Sequence, residues 1–408
     1  MKLLIILPRV PFPLDKGDKL RAYHQIKQLS KDHEIILFAL SESGVSGSFA
    51  EQLRAFCSKV VLYPLDRGKI AGNLLRSFFE GIPFQVGYFY HPGAQRLVDE
   101  LIRDHQPDHI YCQLIRTAPY AAGHEGIPNT LDYMDAFSKG IERRLRTDPF
   151  YMRPLLRMEH RRLLAFERRA FDMFQNKTII SDQDKSLIPH PRRSAITVVP
   201  NGIDTEWFRP QGCAKTFDII FHGNMDYPPN VESVVYLVRD VMPLVWRTLP
   251  GARLIISGAN PCSTVRRLAS ERVKVSGWVD DIRDNYARSR LMVAPMQISI
   301  GLQNKLLEAM AMGLPCVTSS LANNALGARP GEQIRIADSP QEYADHIVEL
   351  LTDDVKSRNL GSKGRAYVLE NFSWPKTTAL LSGLMEGGQE PLPTRTAPET
   401  EVRCGAAR

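Results

Sequence analysis

The sequence predicts an α/β fold made of two doubly wound layers, and three observations predict it. Short continuous apolar runs alternate with amphipathic helical patterns, the signature of parallel strands covered on both faces. The rhythm breaks at Val198-Val199-Pro200-Asn201-Gly202-Ile203-Asp204-Thr205-Glu206-Trp207-Phe208, after which a second series of the same kind begins. A chain of 408 residues is long for one core and suits two.

In the first series, the run Leu3–Leu7 reads as a buried strand, followed by a Pro-rich loop with Gly17 and an amphipathic helix over Asp18–Ser30. Later strands are expected at Glu34–Ala39, Lys59–Tyr63, His109–Cys112, Asn129–Tyr133 and Lys177–Ser181. The second series opens at Phe217–His222 and continues at Arg253–Ser257, Val273–Ser276, Leu291–Ala294 and Pro315–Thr318. We expect a first domain over 1–208, a second over 209–371, and a helix within 372–386 packing back toward the first. The segment 387–408, rich in Pro, Thr, Glu and Gly, has too little apolar surface to offset the entropy of ordering, and reads as a disordered tail.

Composition bounds the function. The formal charge of +7 comes without a nucleic-acid-binding motif, so nucleic acid is not an expected partner. The six cysteines form no Cys-x-x-Cys pair and no metal-ligand spacing, which argues against a metal site or a disulfide framework and for a reducing cytoplasm. The first apolar run is too short for a signal peptide, and no window reaches the length needed to cross a bilayer. The expected location is cytoplasmic, free or peripheral on the inner face of the cell membrane.

The most informative stretch is Gly301-Leu302-Gln303-Asn304-Lys305-Leu306-Leu307-Glu308-Ala309-Met310-Ala311-Met312-Gly313-Leu314-Pro315-Cys316-Val317-Thr318. A glycine turn leads into a helix whose first amides and positive dipole end face whatever anion lies ahead. Lys305 and Glu308 share one helix face, a cation for phosphate and a carboxylate for vicinal hydroxyls. Gly313 and Pro315 stop the helix before a short strand. The alternative is a plain surface helix with an i,i+3 ion pair.

Other loops carry candidates of the same kind. In Pro11–Arg21, Gly17 suits backbone contact with a ligand, Asp18 reads as the helix N-cap, and Lys16, Lys19 and Arg21 are cations for phosphate or acceptor; the other reading is a solvated basic loop. In His222–Asn230, the loop expected to face the one around Gly17, Gly223 allows close approach of backbone to ligand, and His222 is a core histidine or a second cation. Asp132 and Asp135 end a strand, where carboxylates orient hydroxyls or act as a base, with Asp135 the catalytic candidate and turn-capping the alternative for Asp132. The segment Arg143–Arg169, arginine-dense and interleaved with leucine and phenylalanine, reads as one amphipathic basic helix for an anionic membrane surface, with Leu74–Phe79, Phe84, Tyr88, Phe89 and Tyr90 as added apolar contact; otherwise its apolar stripe is core.

The Gly301–Thr318 wording resembles the donor-binding helix of retaining glycosyltransferases of family four, which have the two-domain GT-B fold. More narrowly it resembles the sugar transferases associated with PEP-CTERM/exosortase exopolysaccharide systems, and similar phrases run along nearly the whole chain. The resemblance implies transfer from a UDP- or GDP-sugar, a substrate rather than a cofactor, to a lipid-linked or oligosaccharide acceptor without a metal. It implies donor binding by Gly17, Gly223, Asn224, Trp278, Val279, Gly301, Leu302, Gln303, Asn304, Lys305 and Glu308, with Trp278 and Val279 on the base, Glu308 on the ribose and Lys305 on the leaving group. Acceptor contacts would fall to Lys16, Lys19, Arg21 and Asp132. The chain departs from the family pattern at Ile300, where a first glutamate is usual, and at Asn224, where an arginine is usual. A nucleotide-sugar epimerase and a non-catalytic sugar-nucleotide binder on the same fold are the competing functions.

Overall fold

The computed structural model describes residues 1–14, 16–41, 47–298 and 302–387. Gly301, Ile300 and the segment 388–408 lie outside the described residues.

The first sheet contains β1 (Lys2–Leu7), β2 (Glu34–Ser41), β3 (Lys59–Pro64), β4 (His109–Gln113), β5 (Asn129–Asp132), β6 (Asn176–Ile179) and β7 (Thr197–Val198), in the order β3-β2-β1-β4-β5-β6-β7. The second contains β8 (Phe217–His222), β9 (Leu254–Ser257), β10 (Val273–Gly277), β11 (Ser289–Ala294), β12 (Cys316–Thr318) and β13 (Arg335–Ile336), in the order β10-β9-β8-β11-β12-β13. Every pairing is parallel, so the carboxyl ends of all strands in a sheet line one edge.

Strand β1 shows why the apolar runs are continuous. Leu3, Ile5 and Leu7 face a core shared with Ala22 and Ile26, whereas Leu4 and Ile6 face the opposite core with Leu163 and Phe166. Alternate side chains enter different layers, and each fully buried Leu or Ile contributes about 1.5–3 kcal/mol relative to exposure. Two short edge strands, β7 and β13, escape the sequence reading because two residues carry no periodicity.

The helix Trp374–Met385 crosses back to the first sheet. Leu381 and Met385 join the core of Leu3 and Ile5, and Asn176 Nδ2 donates to the Leu384 carbonyl at 3.3 Å. At its start Trp374 stacks on His24, with centroids 4.8 Å apart, and a Cβ on Gly202 would meet the indole at 2.5 Å. The linker between the sheets can pass this point only as glycine.

The arginine-dense segment is two helices rather than one, Phe137–Thr147 and Arg153–Met173, because Asp148 precedes Pro149 and takes extended geometry. The second helix buries Leu156, Leu163, Phe166 and Phe171 and also two acids. Glu159 accepts from the amides of Phe84 and Gln85 at 2.9 and 3.1 Å, and Glu167 from the amide of Ser138 at 3.0 Å. Each glutamate therefore caps the start of another helix, Phe84–Gly87 or Phe137–Thr147, neither of which has a side-chain cap from its own N-cap residue. No helix among the described residues is long and apolar enough to cross a membrane.

Candidate active site

At the carboxyl edge of the second sheet, three loops and a helix are tied into one surface. The Gly258 amide donates to the Gly277 carbonyl at 3.0 Å, and Gly258 itself, at φ +136°, presses on Gly223: a Cβ there would lie 1.8 Å from the Gly223 carbonyl oxygen. Asn230 Nδ2 donates to the Asn224 carbonyl at 2.9 Å, and its Oδ1 accepts from Lys305 Nζ at 2.5 Å. The loops after β8, β9 and β10 and the helix Asn304–Ala311 after β11 thus come together.

That helix forms because Leu306, Leu307, Ala309, Met310 and Ala311 are buried, and it stops in a Schellman arrangement at Gly313, φ +76°. The Leu314 amide returns to the Ala309 carbonyl at 2.9 Å and the Gly313 amide to Met310 at 2.9 Å. At its start the N-cap residue Gln303 gives no side-chain cap, and among the described residues the buried Oδ1 of Asn304 has no hydrogen-bond partner. A helix start without a side-chain cap, at the carboxyl edge of a parallel sheet, can receive an anion.

Behind it lies a titratable network. Tyr286 donates its hydroxyl to Glu308 Oε2 at 2.9 Å, and burial raises the Glu308 carboxyl to about 7 against that bond and the Lys305 charge. Burial lowers Lys305 to about 7, opposed by Glu308. His222 is pushed down to about 4 by burial and by Lys305, so its ring is neutral, with Nδ1 3.2 Å from the Ser257 carbonyl. Lys305 is 8% exposed, its Nζ sits on Asn230 with the Phe221 ring 4.8 Å away, and it supports the Gly223 loop from beneath. Leu302, Gln303 and Asn304 are half-buried, Asn224 is exposed, and Trp278 stands 72% exposed beside half-buried Val279. Asp281 caps the helix Ile282–Ala287 and pairs with Arg283, whose guanidinium covers the Trp207 ring at 3.5 Å.

At the edge of the first sheet, two expectations are corrected. Arg21 and Asp132 are each fully buried and face one another, Nε to Oδ2 2.6 Å, with the Tyr111 hydroxyl 2.8 Å from the same oxygen and Asn201 Oδ1 accepting from Arg21 at 3.0 Å. Burial works against the Arg21 charge, but Asp132 and Tyr111 outweigh it and raise its pKa. Neither residue is open to an acceptor; together they tie the first helix, β4, β5 and the linker. Asp18 is not the N-cap of the helix Gly17–Leu29, a position held by Lys16, but pairs with Arg9 at 2.8 Å from its first turn. Lys16 and Gly17 are exposed at that helix start and Lys19 is half-buried.

Asp135 is placed differently from Asp132. The Asp135 amide donates to the Tyr133 carbonyl at 2.7 Å around Met134, φ +60°, a γ-turn of the rare positive-φ class. The turn aims the Asp135 carboxylate, accessible to solvent, into a cavity of ≈ 240 Å³ walled by Gln85, Arg116, Phe137, Arg143 and Asp184, among others. Burial within that concavity, then Asp184, raise its pKa to about 7, against Arg116 and Arg143. Tyr227, from the loop after β8, feels the charges of Arg143 and Asp135, so the two carboxyl edges face each other here. Sequence reasoning missed Arg116 and Asp184 as parts of this region, and it held Tyr227 and Asn230 only as members of the loop His222–Asn230, without a role for either side chain. Among the described residues, no group of three or more His, Cys, Asp or Glu is arranged to hold a metal ion.

Two parallel α/β sheets with their carboxyl edges opposed define the GT-B class of glycosyltransferase. Residues 216–353 match the family described as Glycosyl transferases group 1. A protein of the Klebsiella pneumoniae cps region, described as uncharacterized, is 19% identical over 92% of this chain and 97% of its own. The Mycobacterium tuberculosis GDP-mannose-dependent alpha-(1-6)-phosphatidylinositol monomannoside mannosyltransferase is 25% identical over 48% of this chain and 56% of its own, so the chain spans about half the length of that relative. The Anabaena HepE structure, solved with UDP, superposes with a TM-score of 0.63 at 15% identity over 95% of this chain and all of its own. The chain is a glycosyltransferase of the GT-B fold whose second sheet lies within the stretch that matches the group 1 family.

Proposed function

We propose that the chain moves a sugar from a uridine or guanosine diphosphate sugar to a lipid-linked or oligosaccharide acceptor, with retention of anomeric configuration, in exopolysaccharide synthesis. One observation carries this reading: the start of the helix Asn304–Ala311, joined through Lys305 and Asn230 to the Gly223 loop, lies on the edge that faces Asp135. The GDP-mannose named for the mycobacterial relative and the UDP in the HepE structure support a nucleotide at such an edge. The cps location of the Klebsiella protein and the likeness to PEP-CTERM-associated transferases support the exopolysaccharide assignment.

In this reading the domains divide at residues 208 and 209, and the nucleotide binds the second. Glu308 accepts the ribose hydroxyls, Trp278 and Val279 pack on the base, and the diphosphate meets the amides of Leu302, Gln303, Asn304 and the Gly223–Asn224 loop, with Gly301 and Gly17 adding backbone contact. Lys305 acts as a charge beneath that loop, favouring the diphosphate as it departs. The acceptor hydroxyl attacks the anomeric carbon on the face the phosphate leaves; the carbon–oxygen bond to phosphate breaks and the hydroxyl proton passes to the leaving phosphate oxygen. Asp135 orients that hydroxyl, and Lys16 and Lys19 approach the acceptor.

The protein works peripherally on the cytoplasmic face of the membrane. Exposed Arg153, Arg157, Arg161, Arg168 and Arg169 flank exposed Leu75, Phe78, Phe79, Phe150, Tyr151 and Leu155, whereas Phe89 belongs to the core and contributes nothing to that surface. Incubation with radiolabelled UDP- and GDP-sugars and membrane extract tests the function. Lipid-linked or polymer-linked label is the expected result; a new free nucleotide sugar, or binding with no conversion, overturns it.

A further inference from the structure

The cavity around Asp135 has a built interior whose chemistry the transfer reaction alone does not require. Arg116 is immobilised at its wall: its guanidinium lies 4.8 Å from the Phe89 ring centre and 4.6 Å from that of Phe137, and its Nε and Nη2 donate to Gln85 Oε1 at 3.1 and 2.6 Å. Both supports are fixed in turn, since Gln85 lies in the first turn of the helix capped by Glu159 and Phe137 starts the helix capped by Glu167. An arginine held this firmly between aromatic faces is oriented before any ligand arrives.

The charge of the wall is lopsided. Four cations, Arg116, Lys139, Arg143 and Arg144, line it with two acids, Asp135 and Asp184. Lys139 and Arg144 are engaged by Glu142 and Asp148 at 2.6 and 2.7 Å, outside that lining. Burial shifts both acids upward, Asp135 to about 7. Ile141 and Leu187 add an apolar side, and ≈ 240 Å³ is the scale of one hexose unit.

We infer that this cavity seats the acceptor's terminal sugar and that this sugar carries an acidic group, a carboxylate or a phosphate, held by Arg116 and Arg143 while Asp135 faces its hydroxyls. The inference rests on the proposed transferase function and adds the class of acceptor to it. Arginine suits such a group because its planar fork matches carboxylate and phosphate oxygens.

Calorimetry on the full chain, with whichever of UDP or GDP binds kept saturating, separates the possibilities using three probes: methyl glucuronoside, glucose 6-phosphate and neutral methyl glucoside. The expected result is that at least one acidic probe binds ten-fold or more tighter than the neutral one, and that Arg143→Gln and Arg116→Gln, each checked for an unchanged melting temperature, erase that margin. The carboxylate and phosphate arms decide which acid is preferred. If Arg116→Gln does not fold, Arg143→Glu on the half-buried rim serves in its place. Equal affinity for all three probes, acidic binding unchanged in the variants, or displacement of the acidic probe by nucleotide overturns the inference. Failure of both nucleotides to bind instead sinks the transferase reading, while the three probes still report on the cavity.

Discussion

Glu308→Gln isolates the role proposed for the helix Asn304–Ala311. The carboxylate has two oxygens: Oε2 accepts the Tyr286 hydroxyl at 2.9 Å, which leaves Oε1 as the principal acceptor for a ribose hydroxyl. Glutamine keeps the shape and one acceptor but removes the charge, so the loss is that of a charge-assisted hydrogen bond, about 1.5–3 kcal/mol, or roughly ten- to 150-fold in affinity. The raised pKa of Glu308, about 7, sets the conditions. At pH 8 the carboxylate is mostly ionised and the full gap between wild type and variant is expected; near pH 6 the wild type is mostly protonated and the gap shrinks, with any titration of the nucleotide cancelling between the two proteins. Titration calorimetry with UDP and with GDP at both pH values measures this. Equal affinities at pH 8 in a folded variant, or a gap independent of pH, would refute the ribose-binding role.

Three further outcomes follow from the geometry. Because the folded-state pKa of Asp135, about 7, lies above its ordinary 3.8, stability falls as pH rises through that window, and the penalty is complete above it. A fully buried group shifted this far would cost about 4 kcal/mol, but solvent reaches Asp135, so Asp135→Asn should gain only about 1–2 kcal/mol at pH 8 and nothing near pH 4, read by thermal melts at each pH. Arg21→Met leaves Asp132 buried with only the Tyr111 hydroxyl and the Met134 amide and should lose about 3–5 kcal/mol in urea unfolding; a loss below 1 kcal/mol would mean that the pair does not hold the first helix to the linker. Replacing exposed Arg157 and Arg161 by glutamine should reduce flotation with anionic liposomes, whereas Arg162, whose guanidinium donates to the carbonyls of Ser77 and Phe78 at 3.1 and 2.7 Å, should affect folding instead.

The central strands were legible because a parallel strand buried on both faces has no polar alternation to confuse it, as in Leu3–Leu7 and Phe217–His222. The start and glycine stop of the helix Asn304–Ala311 were legible because both are local. The wall of the Asp135 cavity was not, since Gln85, Arg116, Phe137 and Asp184 meet only through tertiary packing. Arg21 was misread for a related reason: charge at a strand edge suggests a ligand, and nothing local in the sequence shows that Asp132 lies 2.6 Å away. The arginine-dense stretch hid its two most consequential residues, the buried acids Glu159 and Glu167.

The return of Trp374–Met385 to the first sheet means that the order of the chain and the order of assembly differ. A ribosome releases the amino-terminal half long before the segment that seals it, so Leu3, Ile5 and Val10 wait with an open flank until Leu381 and Met385 emerge. Any chimera that exchanges nucleotide-binding halves between relatives must therefore retain the native closing helix with the half it covers, or the recipient half will inherit a seam cut for someone else's side chains.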